Sequence, residues 1–376
     1  MIATQVTLNN YRNWARLSIT PHERLNLVTG PNAQGKSNLL EALYALVTTR
    51  PYRANRELDV IRFGESFAHV HADFAAAGRE VSCEVAWQRA AEGRMRKEVR
   101  LNRQPVPRLV DIFGVARIVL FAPRDLELVT GGPEARRRWV DIVLSQLHPT
   151  HLHALTRYRT VLAERGRILR TLAAGGSVDP ALREALDEQL VTWGATIVER
   201  RTGTLQKFGE LLEKRYRQLS GGRESIRLRY VSSAPCLSGE STAAAILRCI
   251  NKRFRDEVER GASLFGPHRD DIDVLLDRHA LRHFGSQGQI RSLSLAMRLA
   301  EAEMLTLDGG EPPLLLLDDC LSEMDSMRQD ALWSYLSTCG QVFLTTSIWP
   351  HDQALPFTGR VFRVWEGTVQ EQRDAA

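Results

Sequence analysis

Two stretches of the chain hold residues of the type and spacing that phosphate chemistry needs. The first is GPNAQGKS at 30–37, a glycine, four residues, then Gly-Lys-Ser. Gly30 and Gly35, with Pro31, Asn32, Ala33 and Gln34 between them, let the backbone wrap so that its N–H groups converge on a phosphate. The positive end of a following helix lies alongside. Lys36 then reaches the outer phosphates of a nucleotide, Ser37 can join a magnesium shell, and Asn38 continues the first helical turn. The second stretch is LLLLDD, four leucines ending on Asp318 and Asp319. Asp318 would orient Mg2+ directly or through water, and Asp319 is placed to activate the attacking water. A chance glycine-rich turn and a capped buried strand are the plainer alternatives. The two motifs in one chain favour the chemistry, with Lys36 and Asp319 catalytic.

A third stretch, FGSQGQIR, opens a helix whose core face is Leu293, Ala296, Met297, Ala300 and Met304. Ser286, Gln287, Gly288 and Gln289 thus stand at a helix start, where unpaired amides and the helix dipole suit a gamma phosphate. LSGGRES, from Leu219, has similar letters in the opposite context. It follows a helix and precedes the alternating SIRLRY, so Gly221 and Gly222 mark a helix stop.

The elements that must position these residues follow from periodicity. Alternation through Ile2, Val6 and Leu8, then Leu25, Leu27 and Val28, predicts strands, and Leu39, Leu40, Leu43 and Leu46 predict the helix after the glycine loop. Between Phe67 and Pro107 short antiparallel strands are expected, and VARIVLFAP is a buried strand. From Pro133 the chain turns helical. Leu155, Leu162 and Leu169 at seven-residue spacing, then a second helix capped by Asp179 and Pro180, predict a short helical hairpin. A further helix is expected from Ala243 to Arg260. These elements predict an α/β fold, a P-loop mixed sheet with flanking helices, plus a short helical arm. The expected division is a discontinuous head of 1–130 and 255–376 with an arm of 131–254.

With 376 residues there is room for two or three folding units, and ordinary apolar and charged fractions argue against disorder. No apolar run reaches the roughly 18 to 20 residues of a membrane span, no secretory leader is evident, and no membrane partner is expected. Five scattered cysteines without a CxxC pair suit a reducing cytosol better than a zinc site. A net charge of +5, carried mostly by arginine, hints at phosphate-rich partners. The runs Arg136, Arg137, Arg138 and Arg94, Arg96, Lys97 are candidate DNA contacts, with a solvated face as the bland alternative.

Taken in order, GPNAQGKSNLLEALY, IRFGE, GPHRDD, GSQGQIRSLSLAMRLAE and LLLLDDCLSEMD resemble an ABC-type, SMC-like head ATPase, and more narrowly the RecF family of bacterial recombination and repair proteins. GPHRDD is the most diagnostic segment, because transporter ATPases lack it. Ala33 stands where the family often has Gly, Arg124 where an acidic residue is usual, and Thr345-Thr346-Ser347 lacks a transporter's switch histidine. The resemblance implies ATP and Mg2+ as ligands, with Ser286 to Gln289 acting on nucleotide held by a second copy. Ser322 and Asp325 would lie in the loop after the acidic strand, Thr346 at the switch, and Arg12 near the nucleotide. It further implies an ATP-dependent homodimer that clamps double-stranded and gapped DNA, turns over ATP slowly, and works with RecR and RecO to load RecA, also in the SOS response. The location implied is cytoplasmic and nucleoid-associated. A transporter ATPase subunit, or a module that holds nucleotide without hydrolysis, are the alternatives.

Overall fold

The computed structural model describes the chain except 55, 91–93, 108–110, 222–223, 278, 323, 350–353 and 374–376. Gly222 of LSGGRES and Glu323 of the SEMD segment therefore lie outside the described residues. The chain divides into two compact units: 1–125, 215–223 and 291–376 form the first, and 126–214 with 224–290 form the second. The segment 255–290, expected in the head, packs within the second unit.

The first unit contains two six-stranded sheets. In one, the strand order is Thr368–Arg373, Gly359–Trp365, Leu25–Thr29, Val342–Thr346, Leu314–Asp318, Ile118–Phe121. Its inner neighbours are all parallel, and only the Gly359–Trp365 and Thr368–Arg373 pair is antiparallel. The four strands LNLVT, VFLTT, LLLLD and IVLF are buried at every residue, as parallel strands covered on both faces must be. The other sheet runs Trp14–Ile19, Ile2–Tyr11, Phe67–Ala76, Arg79–Arg89, Met95–Leu101, Gln104–Pro105, antiparallel throughout. The helix Lys36–Thr48 is buried along most of its length, and one apolar core joins it to strands of both sheets. A helix with apolar residues on all sides needs such an enclosed place.

The second unit is mostly helical. Trp139 of the helix Pro133–Leu147 stacks edge-on against Phe208 of the helix Pro180–Ser220, their centroids 4.9 Å apart. Leu155 of the helix Pro149–Ala173 shares a core with Leu186, Leu190 and Ile197 and the half-buried Leu162 packs against that core, whereas Leu169, the third leucine of the predicted seam, is buried outside it. Asp179 Oδ1 accepts from Ala181 N at 3.0 Å, as an N-cap should. Ser220 ends the long helix and Gly221 follows at φ 76, the helix stop expected there. The predicted helix from Ala243 is two, Thr242–Lys252 and Phe254–Arg260, broken at Arg253. A three-stranded sheet, Ile226–Val231, Asp271–Leu276 and His279–Ala280, completes the unit. Among the described residues no helix is long and apolar enough to cross a membrane.

Candidate functional site

Parallel register brings the site together. Leu25–Thr29, Val342–Thr346 and Leu314–Asp318 end at one edge, with Asp318 paired to Thr345 and Thr346 to Thr29. The glycine loop leaves the first of these strands at that edge. Gly30 adopts φ +147, and a Cβ there would stand 2.2 Å from Val364 O. Gly35 adopts φ +109, and a Cβ would meet the Asn13 side chain at 2.6 Å and Trp14 Nε1 at 2.9 Å. Only glycine meets both demands. Ala33 also takes a left-handed φ of 66, so the position where the family often has Gly is one where glycine is the unstrained choice.

Distant segments hold the loop in shape. Asn13 Nδ2 donates to Gln34 O at 2.7 Å, and Asn13 Oδ1 accepts from Asn38 Nδ2 at 2.8 Å. Trp14 Nε1 donates to Gly35 O at 3.1 Å, and Glu366 N donates to Gln34 Oε1 at 2.7 Å. Pro31, Asn32 and Ala33 form its exposed crest. The Lys36 ammonium lies across the loop, donating to Gly30 O at 2.7 Å and Pro31 O at 2.8 Å. Burial pulls its pKa below lysine's ordinary value, against the opposing pull of Asp319 and Asp318.

Asp318 is the hub. Its Oδ1 accepts from Ser37 Oγ and from Thr345 Oγ1, each at 2.7 Å, and its Oδ2 accepts from the Tyr52 hydroxyl at 3.0 Å. Burial, reinforced by Asp318, raises the Tyr52 pKa far above its usual value, so the phenol remains a donor. Asp319 follows with its side chain exposed, at a left-handed φ of 49, and its N–H donates to Thr345 Oγ1 at 3.0 Å. The two carboxylates therefore differ in kind: one is fastened by hydroxyls and the other is free to face solvent.

Mg2+ fits this donor set. Cis oxygen ligands of an octahedral magnesium ion stand about 2.9 Å apart, given bonds of about 2.0–2.1 Å. Ser37 Oγ and Asp318 Oδ1 already approach that spacing, at 2.7 Å.

The remaining expected residues are placed as follows. Arg12 is engaged inside the first unit: Nε and Nη2 donate to the buried Glu41 carboxylate at 2.9 and 3.0 Å, and Nη1 to Asp59 O at 2.8 Å. Ser322 Oγ donates to Asp319 O at 3.2 Å, and Asp325 caps the helix Ser326–Leu336 by accepting from Arg328 N at 2.9 Å. Thr346, the residue expected at the switch, spends its hydroxyl on Ile348 O at 3.1 Å, and the hydroxyl beside the carboxylates is that of Thr345. Ser286 and Gln289 form a reciprocal capping box. Ser286 N donates to Gln289 Oε1 at 2.7 Å and Gln289 N to Ser286 Oγ at 3.2 Å, which opens the helix Gln287–Gly309 at Gln287 and Gly288. Gln289 Nε2 also donates to Glu224 at 2.7 Å.

Two basic candidates need correction. Arg136 is 2 % exposed, with its guanidinium on both oxygens of Asp271 at 2.8 and 3.0 Å and on Gly131 O at 2.7 Å. It is a buried structural ion pair and presents no charge to a partner. Lys97 is tied to Glu57 at 2.7 Å and Thr49 O at 3.0 Å. Arg137 donates to Asp270 O at 2.6 Å, whereas Arg138, Arg94 and Arg96 are exposed. GPHRDD is an internal knot of the second unit. Tyr158 and His268 Nδ1 share a hydrogen at 2.6 Å, Arg201 donates to Pro267 O at 2.7 Å, and Asp270 accepts from Tyr230 at 2.6 Å and Ser233 Oγ at 2.7 Å.

Sequence reasoning missed Tyr52, Asn13 and Trp14, and within Thr345-Thr346-Ser347 it chose Thr346 where Thr345 bonds Asp318. Asn13 beside Arg12 in YRN, and the first threonine after VFL, are the only local signals.

A glycine loop on a parallel sheet, an acidic strand end and a capped SQGQ helix define the head fold of ABC-type and SMC-like ATPases, and residues 2–353 match the model of the RecF/RecN/SMC N terminal domain. The chain is 35 % identical to the DNA replication and repair protein RecF of Lacticaseibacillus casei, across 97 % of this chain and 98 % of that one. It is 33 % identical to that of Shouchella clausii, across 98 % and 99 %. It superposes on the solved recombination mediator protein RecF-ATP of the RecFOR pathway with a TM-score of 0.90, at 28 % identity, covering 99 % of this chain and 97 % of that one. The chain belongs to the RecF family of DNA replication and repair proteins.

Proposed function

We propose that the chain is an ATP-gated DNA-binding protein that hydrolyses ATP slowly. The observation that carries this reading is the meeting of Ser37 and Asp318 at 2.7 Å beneath the glycine loop. Ser37 and Asp318 would hold Mg2+, which when bound neutralises charge on the outer phosphates. Lys36 exchanges carbonyl partners for phosphate oxygens, and Thr345 and Tyr52 keep Asp318 aimed. Asp319 accepts the proton of the attacking water as its oxygen bonds the gamma phosphorus, while the bridging oxygen leaves with ADP. A cavity of about 900 Å³ lined by Arg12, Asn13, Asn38, Leu58, Asp59 and Phe63, among others, adjoins the loop and suits the nucleoside. Arg12 then orders this wall through Glu41 and Asp59 while facing the ligand.

Ser286 to Gln289 would cap the triphosphate held by a second copy, so ATP joins two chains and hydrolysis frees them. The resulting dimer would clamp duplex DNA at gaps or junctions and act with RecR and RecO in loading RecA, in the cytoplasm at the nucleoid. Arg138, Arg94 and Arg96 are the arginines of the expected runs best exposed for phosphate contact. The structure known for a relative with ATP supports the nucleotide part. A non-hydrolysing module is disfavoured by the exposed carboxylate of Asp319. Light scattering with and without ATP and magnesium, repeated on gapped duplex, tests the reading. A doubled mass with ATP, abolished by Lys36→Arg and by Ser286→Arg, is expected; a single protomer under every condition refutes it.

A further inference from the structure

We infer that the outward face of the helix Pro149–Ala173 is a contact for the sugar-phosphate backbone of DNA, centred on a shallow cavity of about 530 Å³ lined by Arg167, Arg170, Thr171, Ala174 and Gly176. The inference rests on the DNA binding proposed above and adds a place of contact outside the arginine runs read from the sequence.

The helix carries five arginines and one carboxylate, Glu164. One arginine points inward. Arg165 donates to Asp187 at 2.5 Å, to Glu257 at 2.6 Å and to Ser263 Oγ at 2.7 Å, and so belongs to the core. At about 100° per residue, Thr156, Thr160, Arg167, Arg170 and Thr171 share the opposite face, with Arg159 at its edge. All six are exposed. Among the described residues the guanidiniums of Arg159, Arg167 and Arg170 make no ion pair, while Arg136, Arg165, Arg201 and Arg298 each bind a carboxylate.

Three features select a polyanion. The threonine hydroxyls fold back onto carbonyls four residues earlier, at 2.8 Å for Thr156, 3.1 Å for Thr160 and 3.2 Å for Thr171. The surface between the guanidiniums is therefore low and open to a close backbone. No large apolar side chain of this helix is exposed, which removes the anchor that protein interfaces use. From Arg159 to Arg170 the charges span about 16 Å at 1.5 Å per residue. Duplex DNA carries a charge about every 1.7 Å of its axis, so such a face meets several phosphates. Arg170 also complements the negative end of the helix, but Arg159 and Arg167 stand above the last turn, where that effect has faded.

The test is fluorescence anisotropy on gapped duplex from low to moderate salt, with ATP and magnesium, comparing wild type with the double variant Arg167→Ala/Arg170→Ala. Both side chains are exposed and outside the nucleotide site, so Tm and ATP binding serve as unchanged controls. Affinity should fall roughly tenfold and the log–log salt slope should flatten by about 2. Unchanged affinity and slope while wild type binds DNA overturns this face and spares the proposed function. A loss of affinity with an unaltered slope also overturns it, since phosphates are then not what the arginines touch. Normal DNA binding with loss of a polyglutamate peptide that wild type holds assigns the face to acidic protein segments instead. Wild type without DNA affinity refutes both readings.

Discussion

Ser37 Oγ and Asp318 Oδ1 lie 2.7 Å apart although 281 residues separate them in the chain. Thr345 and Tyr52 complete the ring of hydroxyls around that carboxylate. An asparagine at 318 would turn an amide toward hydroxyls that now donate, and would remove the charge a magnesium ion needs. Asp318→Asn should therefore abolish magnesium-dependent tightening of nucleotide binding. Titration of a fluorescent ATP analogue with and without the metal checks this; equal tightening in the variant would place the metal elsewhere.

Among the described residues Asp319 is fastened only through its backbone, and its side chain is exposed. Asp319→Asn keeps the shape and removes the proposed base. Hydrolysis should drop about 10²- to 10⁴-fold with ATP affinity preserved. Single-turnover hydrolysis beside equilibrium binding separates the two effects. A parallel loss of binding would mean that Asp319 holds the nucleotide and does not activate water.

Gly35 tests the loop's geometry. Its φ of +109, and the nearness of Asn13 and Trp14 to any Cβ, combine backbone strain with a clash. Gly35→Ala should cost about 1–3 kcal/mol and weaken nucleotide binding. Thermal melting with and without ATP and magnesium reports both. Gly64, in a turn with nothing within 4 Å of a Cβ, provides the comparison site with strain alone.

Arg136 should behave as a structural residue. Removing it leaves the Asp271 carboxylate with the Ile272 N–H at 2.7 Å and the more exposed Arg282 at 3.6 Å. Breaking a buried pair in this way costs about 3–5 kcal/mol. Arg136→Ala should lower Tm sharply, whereas Arg138→Ala should leave it unchanged. Equal Tm values for the two variants would contradict the pairing.

The sequence made contiguous features legible and left long-range ones obscure. The glycine loop, the acidic strand end and the capped signature each lie within a few residues, where spacing itself encodes geometry. Thr345 and Tyr52 gain their roles from strand register and from a segment far along the chain, which local periodicity does not encode. Three successive arginines look alike in sequence, although Asp271, 135 residues from Arg136, decides that the first is buried. The same limit bears on the segment 255–290, expected in the head: its strand Asp271–Leu276 pairs with Ile226–Val231, a partner that local spacing does not reveal, and both lie in the second unit.

His268 supplies a pH test of the GPHRDD knot. Burial first, then the nearby arginines, depress its pKa to about 4, although Ser263 O opposes the shift. Its unfolded value is about 6.5, so between those limits the unfolded chain binds the extra proton. Stability then falls as pH drops from about 6.5 to about 4, by up to ~1.4 kcal/mol per pH unit from this group. His268→Gln has no titrating ring, so the drop in Tm across that window should be shallower than in wild type. Glutamine keeps a polar group near the Tyr158 hydroxyl, so the comparison isolates the proton. The two Tm curves should converge toward acid pH. Parallel curves through the window would show that His268 is accommodated in its charged form and that the knot does not depend on its neutrality.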